Sequence, residues 1–359
     1  MRELLSINLF FIFLIFLNCT SSRQLNDKIL KADSLILSTL NLKNLPGISV
    51  TILKDGINIY SKGFGYADIE KKTKIIPSET RFRIGSVSKT IASSALMKLV
   101  EEKKVNLDSS IYNYVPDYPK KRWEFTSRQI AGHLSGIRGY RDNEMMIDKN
   151  FTNVSDALEI FKLDTLMHEP NSKYLYSTHA WTLLSLVIEN ASGKKFLNYM
   201  QTNVFDLIDM KNTHAEDINL NDIQKVTYYK LDSNNNFVIE PYVNNSWKWA
   251  GGGFISTTED VAKFFLAHTD YDYLTKESIV QLMTPQKNIS GEATNYGIGW
   301  RTEHDYDNNI LLGHTGGSIG GTTYAFMAPH SNSIIVMTTN LSNGSFGELP
   351  KDLFQLFDF

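Results

Sequence analysis

Short apolar segments cluster near both ends of this 359-residue chain. In some of them apolar and polar residues alternate, and in others the apolar run is unbroken. They are bounded by Gly, Asn, Asp and Pro, a pattern that predicts β-strands separated by turns. Asp55-Gly56, between the first two segments, predicts a tight hairpin. The predicted strands are Ile48–Leu53, Ile57–Tyr66, Gly297–Thr302, Ile310–His314, Thr323–Met327 and Ser333–Thr339.

Between the two groups of strands, the hydrophobic spacing becomes mainly helical, with loops rich in Asp, Asn and Pro. Trp181–Ile188 is apolar on nearly all sides, which predicts a buried helix. Ser256-Thr-Thr-Glu259 has the spacing of a capping box at a helix start. The other predicted helices are Leu25–Leu42, Asp156–Phe161 and Leu349–Phe359.

Strands near both ends with helices between them predict a sheet assembled from distant parts of the chain. We expect an α/β (α+β) fold: an antiparallel sheet of about five strands, flanked by helices, with a mostly helical subdomain inserted. The sheet parts are expected at about 27–105 and 290–359, and the insertion at about 106–289. Together they form one domain, 27–359.

The first residues have the pattern of an export signal. Arg2 supplies a positive charge, and Leu9–Leu17 is an apolar run that suits a signal peptide and is too short to span a bilayer. The only cysteine, Cys19, follows two residues after this run, and Phe16-Leu17-Asn18-Cys19 resembles a bacterial lipobox. An ordinary signal peptide is the alternative.

From this pattern we expect a signal peptide over 1–19, a tether over 20–26 and lipidation of Cys19. The protein would then be exported and held in a lipid bilayer by its N-terminal anchor. This predicts a periplasmic or outer-membrane lipoprotein of a bacterium.

Composition excludes two classes of function. The formal net charge is −3 and the sequence pI is about 6.3, so no basic patch indicates a nucleic-acid partner. The eight histidines have no paired metal-binding spacing, and a lone cysteine forms no ligand pair. We therefore expect no metal site.

Three short motifs carry candidate chemistry. Ser86 and Lys89 are three residues apart at a predicted helix start, so the hydroxyl and amine share a face, and the free N–H groups there favour an oxyanion. Tyr176 lies on a predicted loop, where a phenol can transfer a proton. Gly313-His-Thr-Gly-Gly317 is a glycine-rich strand that lets a substrate approach. Each motif alone also fits an ordinary structural role.

In this order, the motifs resemble those of the serine beta-lactamase and penicillin-binding-protein superfamily, in its class C-type branch. The likeness extends over about residues 30 to 345, and the sequence also resembles the mitochondrial serine beta-lactamase-like proteins. The stretches that carry it beyond the three motifs are Phe125–Ile130, His133–Arg138, Leu175–Thr178, Pro241–Ala250 and Ala250–Ser256.

The resemblance implies a fold, a chemistry and a set of roles. Ser86 would be the nucleophile, and Lys89 and Tyr176 would transfer its proton, in an order that stays open. The oxyanion hole would be the backbone N–H groups of Ser86 and Gly317. Neither a metal nor an organic cofactor is implied. The implied substrate-binding residues are His314, Thr315, Gly316 and Thr178.

Two departures from the family pattern bear on the substrate. His314 stands where many beta-lactamases have Lys, and Thr178 stands where the family usually has Asn. A histidine is mostly neutral at neutral pH, and threonine has a single donor, so both changes weaken the binding of an antibiotic. We expect a peptidase or D-Ala carboxypeptidase-like hydrolase first, an esterase second and a weak beta-lactamase third.

Two alternatives remain open. One is a non-catalytic scaffold or ligand-binding lipoprotein that kept the fold. The other is a Ser-His-Asp hydrolase in which His314 is the base. A second histidine, His133, is interpreted as a hydrogen-bonded scaffold residue.

Overall fold

A computed structural model of the protein describes residues 23–217 and 222–358. Its centre is a six-stranded sheet in the order β2-β1-β11-β10-β9-β8, with every neighbouring pair antiparallel. The strands are β1 Gly47–Lys54, β2 Ile57–Gly65, β3 Phe82–Arg83, β4 His214–Ala215, β5 Tyr229–Leu231, β6 Phe237–Ile239, β7 Phe254–Ser256, β8 Arg301–His304, β9 Ile310–Ser318, β10 Gly321–Ala328 and β11 Ser333–Thr339.

The predicted mixed α/β fold is confirmed, with six strands in the main sheet. β1 pairs with β11 from Ile48 opposite Thr339 to Lys54 opposite Ser333, so the two ends of the chain meet inside the sheet. The predicted hairpin is present: Asp55 and Gly56 both have positive φ, as a two-residue I′-type turn requires.

Helices cover both faces of this sheet. The α-helices are α1 at 23–42, α2 Val87–Glu101, α3 Ser127–Ala131, α4 Val154–Ala157, α5 Thr178–Ser192, α6 Phe196–Met200, α7 Trp249–Gly252, α8 Thr258–Leu266, α9 Lys276–Met283 and α10 Leu349–Phe357. Short 3₁₀ turns lie at Ile111–Asn113, Glu144–Met146, Leu158–Ile160 and Ser246–Lys248, and a π-helical turn at Gln201–Phe205.

Side-chain alternation in the central strands builds two separate cores. On β11, Ile335 and Met337 pack with α1 and α10, while Ile334 and Val336 pack with α2 and α8. Successive side chains of a strand point to opposite faces, so one strand supplies both cores. The core that contains α2 and α8 continues into the helical insertion. The candidate site lies where the sheet meets this insertion.

The insertion is less purely helical than predicted. It contributes two strands to a small sheet, β3-β7-β4, and contains the whole of a second one, β5-β6. The predicted helix over 156–161 is only the short α4 followed by a 3₁₀ turn. The cap of α8 is Thr257, whose side chain accepts from the N–H of Asp260, and not the predicted Ser256.

The N-terminal predictions fall mostly outside the described residues. The signal segment and Cys19 lie before residue 23, and so does the first part of the tether. Residues 23–26, assigned above to the tether, are helical and belong to α1. Within the described ranges, no helix has the length and apolar character needed to span a membrane.

Candidate active site

The backbone around Ser86 is fixed by a close approach of two chain segments. Gly85 has φ +50, and a Cβ built there would lie 2.7 Å from the carbonyl oxygen of Gly317. Only glycine fits this position. Ser86 follows as the N-cap of α2, and in the described part of the chain no acceptor takes its backbone N–H. That N–H is therefore available to a ligand at the positive end of the helix dipole.

Lys89 reaches back along α2 to the Ser86 hydroxyl. Its Nζ lies 3.0 Å from Ser86 Oγ, 3.3 Å from Thr178 Oγ1 and 2.5 Å from the carbonyl oxygen of Gly251. Lys89 is completely buried, and burial, with the charges of Lys248 and Arg301, holds its pKa well below the usual value. A neutral amine can donate to Thr178 and Gly251 and still accept the Ser86 proton.

Tyr176 meets the same hydroxyl from the loop before α5. Its phenol is close enough to the Ser86 hydroxyl to interact with it electrostatically, and Lys89 Nζ lies 4.8 Å from the centre of its ring. Burial raises the pKa of Tyr176 above the ordinary tyrosine value, although the interaction with Ser86 opposes this. The phenol therefore stays protonated at neutral pH and can give a proton.

His314 is buried beneath the site on β9. Its Nε2 lies 2.8 Å from the hydroxyl of Tyr296 and its Nδ1 lies 2.5 Å from the carbonyl oxygen of Thr315. Because a carbonyl only accepts, Nδ1 carries the proton and Nε2 accepts from Tyr296. Both ring nitrogens are thus occupied, with neither Ser86 nor a carboxylate among the partners that the structure gives them. The Ser-His-Asp alternative does not fit this geometry.

The same contacts change the expectation for substrate binding by His314. His314 is only 1% exposed, and its ring is held by Tyr296 and the Thr315 carbonyl inside the protein. Burial, with the charges of Lys89 and Arg301, holds the pKa of His314 well below the usual value. The ring is therefore neutral at neutral pH and supplies no charge to a substrate carboxylate.

The glycines of the His-Thr-Gly strand have two different surroundings: one packs against a neighbouring segment and the other borders open space. A Cβ on Gly316 would lie 2.0 Å from the carbonyl oxygen of Ile84, so this glycine lets β9 pack against the segment before Ser86. A Cβ on Gly317 would meet nothing within 4 Å, so the backbone there borders open space. Thr315 accepts a hydrogen bond from Arg301 Nη1 at 3.3 Å.

Thr178 lies at the start of α5, beside the amine of Lys89. It is 2% exposed, and its hydroxyl lies 3.3 Å from Lys89 Nζ. A side chain so placed can orient the amine of Lys89. The predicted substrate contact of Thr178 stays a prediction.

Two cations at the site were missed from the sequence. Arg301, on β8 opposite Gly313, has a side chain 35% exposed and lies near enough to lower the pKa of Lys89. Lys248 is buried with its Nζ 5.6 Å from the ring centre of Tyr140, and burial and the charge of Arg83 lower its pKa to about 7. The available signals were the end of the predicted strand Gly297–Thr302 and the position of Lys248 just before a glycine-rich turn.

A serine at a helix start, with a buried amine and a phenol on its hydroxyl, belongs to the class of serine hydrolases. Within 23–217 and 222–358, no group of His, Cys, Asp and Glu is arranged to hold a metal ion. The family model described as "Beta-lactamase" matches residues 33–355. The chain therefore belongs to the beta-lactamase family.

Individual relatives agree with this assignment. The human "Serine beta-lactamase-like protein LACTB, mitochondrial" is 29% identical over 378 residues, covering 79% of this chain and 69% of the relative. "Protein flp" of Staphylococcus aureus (strain MW2) is 28% identical over 334 residues, covering 89% of this chain and 65% of its own length.

Solved structures show the same fold. The octameric penicillin-binding protein homologue from Pyrococcus abyssi is 26% identical, with a TM-score of 0.78, over 91% of this chain and 76% of that one. D-amino acid amidase from Ochrobactrum anthropi SV3 has a TM-score of 0.77 over 93% of this chain and 96% of that one. Its identity of 22% supports a common fold alone.

Proposed function

We propose that this serine hydrolase cleaves amide bonds through a covalent acyl-enzyme on Ser86. The observation that carries the proposal is the meeting of three groups at one oxygen: Ser86 Oγ contacts both the Lys89 amine and the Tyr176 phenol. The opposite directions of their pKa shifts support an assignment of the roles left open above. We propose that Lys89, whose pKa is lowered, is the base, and that Tyr176, whose pKa is raised, is the acid.

The proposed acylation balances its protons within these groups. Lys89 takes the Ser86 proton as Oγ attacks the carbonyl carbon, and Tyr176 protonates the leaving nitrogen as the C–N bond breaks. The ammonium of Lys89 then returns a proton to the Tyr176 phenolate. In deacylation, Lys89 takes a proton from water as the water oxygen attacks the ester carbonyl, and Tyr176 protonates Ser86 Oγ as the ester C–O bond breaks. Lys89 then returns its proton to Tyr176, which restores the starting state.

The backbone N–H groups of Ser86 and Gly317 would stabilise the oxyanion in both steps. The contact of Gly85 with Gly317 places the two segments side by side, and Gly317 borders open space. A preorganised donor of this kind contributes about a hundredfold or more to rate.

The finer proposal is a carboxypeptidase-like substrate with a free C-terminal carboxylate, as in peptides ending in D-Ala. Its support is Arg301, a partly exposed cation whose Nη1 donates to Thr315 at the strand beside the nucleophile. Because His314 is neutral and buried, Arg301 is the group that would supply positive charge to a carboxylate.

A paired-substrate assay tests this proposal. With Arg301→Met, kcat/KM for a peptide with a free C-terminus should fall about 10- to 150-fold, since a charge-assisted hydrogen bond contributes about 1.5–3 kcal/mol. The charge of Arg301 also lowers the pKa of Lys89, so the comparison is made above the acidic limb of the pH profile, where the matching C-terminal amide should be nearly unaffected. Arg122→Met, an exposed arginine over Trp123, is the control. Equal losses on the acid and the amide would contradict the carboxylate role.

Assays of the wild-type protein distinguish the remaining alternatives. Ester turnover without peptide turnover would identify an esterase, and fast nitrocefin hydrolysis would identify a beta-lactamase. Failure of a fluorophosphonate or fluorescent penicillin to label the wild type would favour the scaffold.

We also propose that the protein is exported and anchored by lipid on Cys19. The support is the sequence pattern alone, an apolar run followed by a single cysteine. Metabolic labelling with a radioactive fatty acid in a bacterial host should mark the wild type and leave Cys19→Ser unmarked. Equal labelling of both, or of neither, would contradict it.

A further inference from the structure

His133 hydrogen-bonds the backbone on both sides of Tyr176. Its carbonyl oxygen accepts from the N–H of Leu175 at 2.8 Å, and its ring Nδ1 accepts from the N–H of Ser177 at 3.1 Å. These two N–H groups belong to the residues immediately before and after Tyr176. One residue from a different loop therefore holds the chain on both sides of the phenol.

The His133 ring also contacts the Tyr176 ring directly. The two ring centres lie 4.1 Å apart with planes tilted by 38°, and Tyr296 lies 4.6 Å away on the same histidine. His133 is only 1% exposed, so the aromatic contacts are closed to water. Tyr176 is thus fixed at two backbone points and on its ring.

The backbone of His133 is itself in an uncommon state. Its φ is +61, in the left-handed region that non-glycine residues rarely adopt. This conformation allows the carbonyl and the ring of one residue to serve two neighbouring amides. Glycine or asparagine would suit this backbone conformation better than histidine does. The local conformation therefore does not explain the histidine, and we look for the role of its ring elsewhere.

The hydrogen bonding of the His133 ring is a second indication that the ring has a role beyond local conformation. Because Nδ1 accepts from Ser177, Nε2 carries the proton, and this buried Nε2 has no partner in the part of the chain described. Burial, with the charges of Lys89, His314 and Arg301, keeps the pKa of His133 well below the usual value. The ring therefore stays neutral, and Nδ1 stays an acceptor.

We propose that His133 is a positioning residue for the proton donor: it holds Tyr176 so that the phenol reaches the atom leaving from the acyl group. The inference rests on the proposed role of Tyr176 as the acid. A displacement of about 1 Å at such a group can cost about a hundredfold in rate. Most of this loss should be confined to reactions whose leaving group needs a proton.

The test compares two substrates with one acyl group, an amide and a p-nitrophenyl ester, in single-turnover acylation. The amide nitrogen must be protonated to leave, whereas p-nitrophenolate leaves without a proton. With His133→Gly, which keeps the backbone and removes the ring, amide acylation should fall about a hundredfold or more and ester acylation less than tenfold. With His133→Asn, whose Oδ1 can accept from Ser177 and which tolerates positive φ, most of the amide rate should return.

Two controls keep the inference separate from folding and from the proposed function. His268→Asn changes another buried histidine, bonded to Ser94 and to the Phe264 carbonyl, and should show no amide-over-ester selectivity. Tyr176→Phe should show the same selectivity as His133→Gly. If Tyr176→Phe shows none, the proposed acid is wrong. If Tyr176→Phe shows it and His133→Gly slows both substrates equally or neither, the positioning role is wrong.

Discussion

Lys89 shows how a residue of ordinary type is given unusual chemistry by its neighbours. An exposed lysine is charged at neutral pH and is no base. Here complete burial disfavours the ammonium, and the nearby cations Lys248 and Arg301 disfavour it further. The base therefore depends on residues that are distant in sequence from the Ser-x-x-Lys motif.

The pH profile of acylation should report the influence of Lys248. Acylation requires neutral Lys89, so its rate falls as pH drops through the pKa of that amine. Lys248→Met removes a charge that lowers this pKa, so the pKa should rise and the acidic limb should move to higher pH. The effect should fade above about pH 7, where Lys248 itself loses its proton.

Lys225→Met is the matched control, because Lys225 pairs with Glu216 and is not among the charges acting on Lys89. Its profile should coincide with that of the wild type. An acidic limb that stays in place, or moves to lower pH, in Lys248→Met would refute the electrostatic account of Lys89.

At this scale the sequence predicts what local spacing determines. Ser86 and Lys89 were predicted because residues three apart lie on one face of a helix, and they do meet. Arg301 and Lys248 were missed because they reach the site through the β8–β9 register and the packing of a loop. The contact of Thr178 with Lys89 was also missed, because the start of α5 that buries its hydroxyl leaves no mark in a motif.

At the scale of elements, the joint between β3 and α2 sets the position of the nucleophile. Gly85→Ala would place a Cβ at φ +50 and 2.7 Å from the Gly317 carbonyl oxygen. The two segments must separate, so we expect active-site labelling to fall at least tenfold, with a loss of stability of about 1–3 kcal/mol. Labelling rate and chemical denaturation measure the two effects.

The variant Gly193→Ala distinguishes the effect of backbone strain from the effect of the close contact between Gly85 and Gly317. Gly193 also has a left-handed φ, +67, but a Cβ there would meet nothing within 4 Å. This variant should lose stability by a similar route and keep the wild-type labelling rate. Comparable labelling losses in both variants would show that the Gly85–Gly317 contact is not what positions Ser86.

The long strands were predictable because apolar segments of five or more residues bounded by turn residues are a strong signal. The predicted strand Gly297–Thr302 is the exception, since β8 begins only at Arg301. β9 and β11 begin where the pattern begins, although β9 continues past His314 to Ser318. The strands of the β3-β7-β4 sheet are only two or three residues long, too short to show any period. Their pairing is fixed by the tertiary structure around Arg83.

At the scale of the whole molecule, the pairing of β1 with β11 makes the fold depend on both ends of the chain. α10 closes one face of this sheet with Leu353, which is fully buried far from Ser86 in the separate core beneath α1. We expect Leu353→Ala to lower the free energy of unfolding by about 2–5 kcal/mol while the folded protein keeps its labelling rate at 25 °C.

Leu163→Ala, at a leucine 79% exposed, is the control and should change stability by less than about 0.5 kcal/mol. Denaturant melts followed by tryptophan fluorescence measure both variants. A labelling rate that falls with Leu353→Ala under fully native conditions would contradict the separation of the two cores.

The central claim is that Ser86 forms the acyl-enzyme, and peptide mass spectrometry after reaction with a fluorescent penicillin or a fluorophosphonate tests it most directly. One added mass should appear on the peptide that contains Ser86, and folded Ser86→Ala should acquire none. A label on another residue, or amide hydrolysis that persists in Ser86→Ala, would contradict the account.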